Sequence, residues 1–149
     1  MSMILVLNKR AKYDYEISKK YQAGIVLSGA EVKSLRNKAG SLQGSYIKIM
    51  DDQAFLVNAQ INPYKFADNI GYDPKRTRKL LLKKKEIYQL IEINDKKGWT
   101  IVPMSFKLFK NKIKLNFGVG KGKKEYEKRA TIKKREQKRE IARQMKNRI

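Results

Sequence analysis

Lys112 to Gly118 reads KIKLNFG, with Ile113, Leu115 and Phe117 on one side of a two-residue repeat and Lys112, Lys114 and Asn116 on the other. That period belongs to a strand with one dry face and one wet face. Asn111 in front of it marks a hairpin turn from FKLF (106–109), and WTIVPM (99–104), after Gly98, reads as the strand before that. Further upstream, Tyr46, Ile47 and Ile49 and the run AFLV (54–57) flank Asp51-Asp52, which predicts a second hairpin. Ala23–Leu27 is a short apolar strand, and Tyr13, Tyr15 and Ile17 alternate around Asp14 and Glu16 behind a basic arm, Asn8-Lys9-Arg10.

Two helices interrupt this series. After a turn at Ser28-Gly29, Val32, Leu35 and Ala39 recur at intervals of three and four, predicting a helix over Ala30–Lys38 that ends at Gly40. Asp73-Pro74 has the form of a helix start, a capping carboxylate before a proline. From there Leu80, Leu81, Ile87, Tyr88, Leu90 and Ile91 keep helical spacing to about Ile93, with Arg76, Lys79 and Lys83 opposite. Between these regions NPYKFADNIGYDP (62–74) reads as an irregular loop, and Trp99 as a core residue. About six strands, with helices inserted rather than alternating as βαβ units, predict a mainly β fold: a small, closed or nearly closed antiparallel barrel with helices outside it.

The chain of 149 residues carries 36 Lys and Arg against 14 Asp and Glu, a net charge of +22. So large an excess repels itself unless a polyanion neutralises it, and no apolar run approaches the roughly 20 residues of a transmembrane helix. The composition therefore points to RNA or DNA and away from a membrane. There is no Cys and no His. Thiolate or imidazole zinc sites, disulfides, cysteine nucleophiles and imidazole bases are thereby excluded. The acids are scattered, and Mg²⁺ chemistry would need Asp14, Asp51, Asp68 and Asp73 to converge. No metal, cofactor or catalytic residue is expected, and a cytoplasmic location fits.

Composition changes after Gly120. Residues 121–149 hold 13 cations against 4 acids, and no large apolar residue stands between Ile132 and Ile141. Such a segment has helix propensity but no face to bury, which predicts coil in the free chain and helix on a partner. Residues 1–120 would form the folded body and 121–149 the tail. At the join, GVGKGKKE (118–125) lacks the Ser or Thr of a Walker loop and the third glycine of a dinucleotide fingerprint. It reads either as a hinge with solvated lysines or as an RNA grip, with backbone and lysines on phosphate and Tyr126 stacking on a base. The run KRTRKLLLKKKE (75–86) is open in the same way, between the wet side of a helix and a phosphate contact through Arg76 and Arg78. Glu31 is expected to pair with Lys33, Arg36 or a nearby backbone amide.

Five segments in order, LNKRAKYDY (7–15), QAGIVLSGAEVKSLR (22–36), SYIKI (45–49), DPKRTRKLLL (73–82) and GKGKKEYEKR (120–129), resemble the SsrA-binding protein family, also called small protein B or SmpB. The resemblance implies an OB-like barrel that binds the tRNA-like domain of transfer-messenger RNA. It also implies entry into the empty A site of a stalled ribosome, where rRNA of the small subunit meets the tail. Elongation factor Tu would be engaged only indirectly, through the charged RNA. By position, Asn8, Lys9, Arg10, Gln22, Glu31, Lys33, Arg36, Arg76, Arg78, Lys79, Leu81, Lys121, Gly122, Lys123 and Lys124 would lie on or beside the RNA-binding surface. Tyr126, Glu127, Lys128 and Arg129 would meet the decoding centre, and Lys133, Lys134, Arg135, Lys138 and Arg139 the mRNA channel. Two positions depart from the family pattern: Gln22 stands where Glu is common, and Glu127 where Asp is. A general single-strand binder or a ribosomal-protein-like barrel is the alternative.

Overall fold

The alternating run at Lys112–Gly118 lies inside a longer strand that is paired on both of its edges. The computed structural model describes residues 2–123 and 125–146. In chain order it contains β1 (Ser2–Leu7), α1 (Ala11–Asp14), β2 (Tyr15–Ile25), α2 (Gly29–Arg36), β3 (Gly40–Ser41), β4 (Tyr46–Met50) and β5 (Gln53–Val57). These are followed by β6 (Gln60–Ile61), β7 (Arg78–Leu81), α3 (Lys84–Asn94), β8 (Trp99–Phe109), β9 (Lys112–Gly122) and α4 (Glu125–Lys146).

Seven strands form one antiparallel sheet in the order β1-β8-β9-β2-β7-β5-β4, and β3 pairs separately with β6. Both expected hairpins are present. Asp51 and Asp52 turn with φ of 52° and 57°, and Lys110 and Asn111 with 49° and 65°, the left-handed pairs that two-residue hairpin loops require. Bulges at Ile4/Val6, Ile17/Lys19 and Pro103/Ser105 bend the three longest strand pairings. The sheet curls until β4 lies against β8, giving a mainly β, OB-like barrel. Its interior holds Phe106, Phe117, Leu115, Leu56 and Leu80, and Tyr21 stacks on Phe117 at 5.4 Å between centroids. α2 supplies Leu35 to this core, and α3 supplies Leu90.

Several elements differ from the sequence reading. The nine strands exceed the expected six or so because β1 precedes the basic arm and because β3 and β6 are too short to alternate. The two expected strands around Tyr15 and Ala23 are one strand of 11 residues, its middle lysines pointing to solvent. Tyr13 belongs to α1. The runs WTIVPM and FKLF are likewise one strand, broken in pattern only by the bulge after Pro103.

The largest correction concerns 73–93, which is not one helix. The Asp73 carboxylate accepts from the Lys75 amide in a turn, Arg78–Leu81 is a strand with alternating burial, and the helix starts only at Lys84. Pairing with β2 and β5 on both edges overrides the helical spacing of the leucines. α2 ends at Arg36, capped by Asn37 and followed by a left-handed Lys38 (φ 60°), not at Gly40. Gly40 instead permits close approach, since a Cβ there would sit 2.8 Å from the Gln60 carbonyl oxygen. Trp99 is only partly buried. Glu125–Lys146 is helical as α4, with exposed side chains from Arg129 to Ala130 and from Ile132 to Gln144.

Candidate nucleic-acid interface

The outward face of the sheet follows from the alternation. Register places Gln22 beside Asn116, and Gly24 between Lys114 and Leu81, with Lys107 opposite Lys114 on the next strand. Lys20, Gln22, Lys79 and Leu81 are exposed, while Lys107, Lys114 and Asn116 are partly so. Two shallow depressions run together here. One is lined by Ile4, Leu7, Lys20, Gln22, Lys107 and Asn116, the other by Gly24, Lys79, Leu81, Lys83, Lys84 and Lys114, and Gln22 borders both. The result is a cationic band with apolar patches at Leu7 and Leu81, suited to phosphates between exposed sugars and bases. Lys20, Lys107 and Lys114 were not singled out in the sequence, although the lysines of KIKLNFG were already on its wet face.

Beneath one edge of this band lies a buried ionic knot. Ser28 caps α2 by accepting from the Glu31 amide at 3.2 Å, and the Glu31 carboxylate accepts from the Ser28 amide at 3.0 Å. The same carboxylate is ion-paired with Arg76 and with Arg78, the latter at 2.6 Å. Arg78 is fully buried, and every one of its five N–H groups has an acceptor. Nε donates to Glu31 at 2.8 Å, Nη1 to the Ala59 and Arg76 carbonyls at 2.8 and 3.0 Å, and Nη2 to the Tyr72 hydroxyl and Pro74 carbonyl at 3.2 and 3.0 Å. The Tyr72 hydroxyl lies 2.8 Å from the Ile61 carbonyl and 3.1 Å from Glu31.

Burial alone pushes the Glu31 carboxyl up. Hydrogen bonds from Arg76, the Ser28 amide and Arg78 together outweigh it and hold the group at about 2, against an ordinary 4.5. Burial, and then the Glu31 charge, push the Tyr72 phenol up. Glu31 and Arg78 are turned inward, away from solvent. They fasten the 62–77 segment to α2 and to the start of β7, and so position Lys79, Leu81 and the exposed Lys33 and Arg36. Arg76 is intermediate, 36% exposed, with one side on Glu31.

The arm and the start of the tail form a second group. Asn8 is pinned to the bulged strand, its amide donating to the Met104 carbonyl at 2.7 Å and its side chain to Pro103 at 2.8 Å. Lys9 is exposed, and Arg10 lies over Tyr13 at 5.2 Å and 3.3 Å from Asp14. Lys128 approaches the same two residues, 3.6 Å from the Asp14 carboxylate and 5.9 Å above the Tyr13 ring. The Lys123 amide donates to the Asp14 carbonyl at 2.8 Å and its ammonium to the Lys12 carbonyl at 2.6 Å.

Lys121 and Gly122 are not in a loop. They end β9 opposite Glu16 and Tyr15, with the Lys121 ammonium 5.1 Å over the Trp99 ring. The glycines before them serve strand approach. A Cβ on Gly118 would lie 2.6 Å from an Ile17 methyl, and one on Gly120 would collide with the Glu16 carbonyl. Arg129, Lys133, Lys134, Arg135, Lys138 and Arg139 are exposed on α4, where Arg135 and Arg139 share a shallow recess with Leu7, Lys9 and Lys12. Lys124 lies outside the described residues, as do the side chains of Tyr126 and Glu127. The candidate residues thus fall at two ends of β2. Nine residues separate Tyr15, beside Gly122, from Gly24, beside Leu81, a span of about 30 Å.

Among the described residues no group of three or more Asp, Glu, His or Cys could hold a metal ion, and no helix is long and apolar enough to cross a membrane. The family model described as SmpB protein matches residues 5–147. An SsrA-binding protein of Sulfurihydrogenibium sp. is 47% identical over 146 residues, 98% of this chain and 96% of its own. One from Lactobacillus delbrueckii subsp. bulgaricus is 46% identical over 140 residues, covering 94% of this chain and 92% of its own. Among solved structures, a chain from "tmRNA-SmpB: a journey to the center of the bacterial ribosome" superposes with a TM-score of 0.68 at 40% identity, covering 80% of this chain and 84% of that one.

Proposed function

The chain belongs to the SmpB protein family, and on that premise we propose that it binds the tRNA-like domain of transfer-messenger RNA and delivers it to stalled ribosomes for trans-translation. It is an RNA-binding adaptor, not an enzyme. The observation that carries this reading is the match over nearly the whole chain to SsrA-binding proteins and to a chain from a tmRNA-SmpB structure concerned with the bacterial ribosome.

The physical picture supports the same division of labour. Residues 1–120 form the body that grips RNA, with Gln22, Lys79 and Leu81 on the sheet face, Lys33 and Arg36 on α2, and Arg76 at the border of the knot. Asn8, Lys9, Arg10, Lys121, Gly122 and Lys123 extend that contact to the far end of β2, and Lys124 belongs to the same RNA-binding run. Residues 121–149 are the ribosome-facing tail. Its Tyr126–Arg129 segment meets the decoding centre, and Lys133, Lys134, Arg135, Lys138 and Arg139 face rRNA in the channel. α4 has few partners on the body, so in the free protein it exchanges with coil, and the polyanionic host holds the helix. The complex meets elongation factor Tu through the charged RNA rather than through this chain, and it works in the cytoplasm.

The test is binding to transfer-messenger RNA, to ordinary tRNA and to a single strand of equal length across a salt series. All three should weaken steeply with salt, as about six to ten phosphate contacts require. A clear preference for the tRNA-like domain is expected. Equal affinities would replace this reading with a general single-strand binder.

A further inference from the structure

The loop between Ile61 and Lys75, held by the Glu31 knot at its Tyr72 end, carries the two most exposed large hydrophobic side chains among the described residues, Ile70 at 92% and Phe66 at 76%. It is not slack. The Tyr64 carbonyl accepts from the Ala67 amide at 3.0 Å and from the Asn69 side chain at 2.9 Å, and the Tyr72 amide donates to the Asn69 carbonyl at 3.1 Å. The Asp68 carboxylate accepts from the Ile70 amide at 3.1 Å. Tyr72 then anchors the loop in the Glu31 knot. A tied loop that holds Phe and Ile in water opposes the hydrophobic effect in the free chain, and a partner that covers them reverses the sign.

The surroundings select the partner. Phe66 stands edge-on to Tyr64 at 5.5 Å and 70°. The Lys65 ammonium is 4.8 Å from the Phe66 centroid, and Lys33, reaching over from α2, is 5.6 Å from that of Tyr64. Rings flanked by cations fit a nucleobase with its phosphates, because the ring takes the base by stacking and the ammonium groups take the charge. Asp68, at the apex, repels phosphate there and so favours a base over backbone at the tip.

We propose that the Tyr64–Ile70 loop is a stacking wedge for an unpaired base of the bound RNA. Phe66 supplies the ring, Ile70 the apolar wall, and Lys33 and Lys65 hold the flanking phosphates. This rests on the RNA-binding reading above and adds to it a component of affinity that salt does not screen.

The test is the double variant Phe66→Ala, Ile70→Ala, titrated with the tRNA-like domain across a salt series beside the wild type and Phe66→Trp. Both side chains are exposed, so the melting temperature should not move. Loss of one stacked base should weaken binding about ten-fold or more at every salt concentration, leaving the slope of log K against log salt unchanged. Phe66→Trp should bind at least as tightly as wild type. Unpaired bases that the wild type protects from chemical modification should react freely in the double variant's complex. The inference is overturned if the double variant binds like wild type, if its loss appears as a shallower salt slope, or if RNA binding persists while ribosome association alone is lost. A wild type with no preference among RNAs would instead sink the functional reading, so the two failures are distinguishable.

Discussion

KRTRKLLLKK (75–84) and KKREQKRE (133–140) are both dense in Lys and Arg, yet the first contains the most deeply buried arginine of the described chain and the second buries nothing. The difference is not in the cations. The first run forms a strand in which Arg78 and Leu80 face the barrel interior and Lys79 and Leu81 face out, and Glu31, more than 40 residues upstream, awaits the inward guanidinium. The second run has no apolar side and stays wet. The meaning of a charge run is thus set by what lies opposite it in three dimensions. A buried cation organises the fold, and an exposed one is free to bind.

The sharpest way to break this contrast is to remove one member of the knot. Arg78→Met leaves Glu31 buried with half its partners gone and removes the donor that serves the Ala59, Arg76 and Pro74 carbonyls. Breaking a buried pair on one side costs about 3–5 kcal/mol. Chemical denaturation should show a loss of that size, whereas Arg135→Met on α4 should leave the midpoint where it is.

Acid probes the same knot without mutation. The Glu31 carboxyl is held below its unfolded value, so the stability it contributes is complete above pH of about 4.5 and disappears as pH falls toward about 2. The amount at stake is on the order of 3 kcal/mol. Arg76→Gln removes the strongest of the hydrogen bonds that lower the group, so the acid limb of the stability curve should begin at higher pH than in wild type. An unmoved limb would mean that Arg76 contributes little to holding the carboxylate.

Next in size is the join between the two regions. Gly120 allows β9 to pass close to Glu16, and the Cβ of Gly120→Ala would meet that carbonyl directly. Overpacking at backbone costs about 1–3 kcal/mol. Thermal melts should register it, and amide exchange should rise first at the Ile17 end of the β2–β9 ladder. If Gly120 were only a flexible hinge, alanine would stabilise the chain slightly by restricting the unfolded state.

These effects also explain which features were legible. The hairpins were, because Asp51-Asp52 and Asn111 stand between runs whose alternation is local and unambiguous. The wet face of β9 is visible for the same reason, whereas Gln22, Lys79 and Leu81 of the sheet-face band follow only from the family resemblance. What could not be read was anything set by distant partners. Leu80, Leu81 and Leu82 satisfy helical spacing as well as strand alternation, and only pairing with Ala54 and Ile25 decides between them. Arg78 resembles Arg76 in sequence, and nothing local says that both reach Glu31 while only Arg78 is fully buried. In sequence the glycines at 118 and 120 read as part of a hinge or an RNA grip, because the strand they let approach lies about a hundred residues away.

The smallest stability effect expected is from the largest deletion. Removing residues from Lys128 onward takes away most of α4, including the Lys128 contacts to Asp14 and Tyr13. A partly exposed pair at 3.6 Å is worth about 0–1 kcal/mol, and the rest of the helix buries little. The melting temperature should therefore change by about 4 °C at most, since 1 kcal/mol shifts a domain of about 150 residues by about 2–4 °C. Affinity for the tRNA-like domain should stay close to that of the full chain, while tagging of stalled peptides in an extract is lost. A collapse of either stability or RNA binding would mean that the tail belongs to the body, and the contrast between a buried and a free set of cations would have to be redrawn with α4 on the structural side.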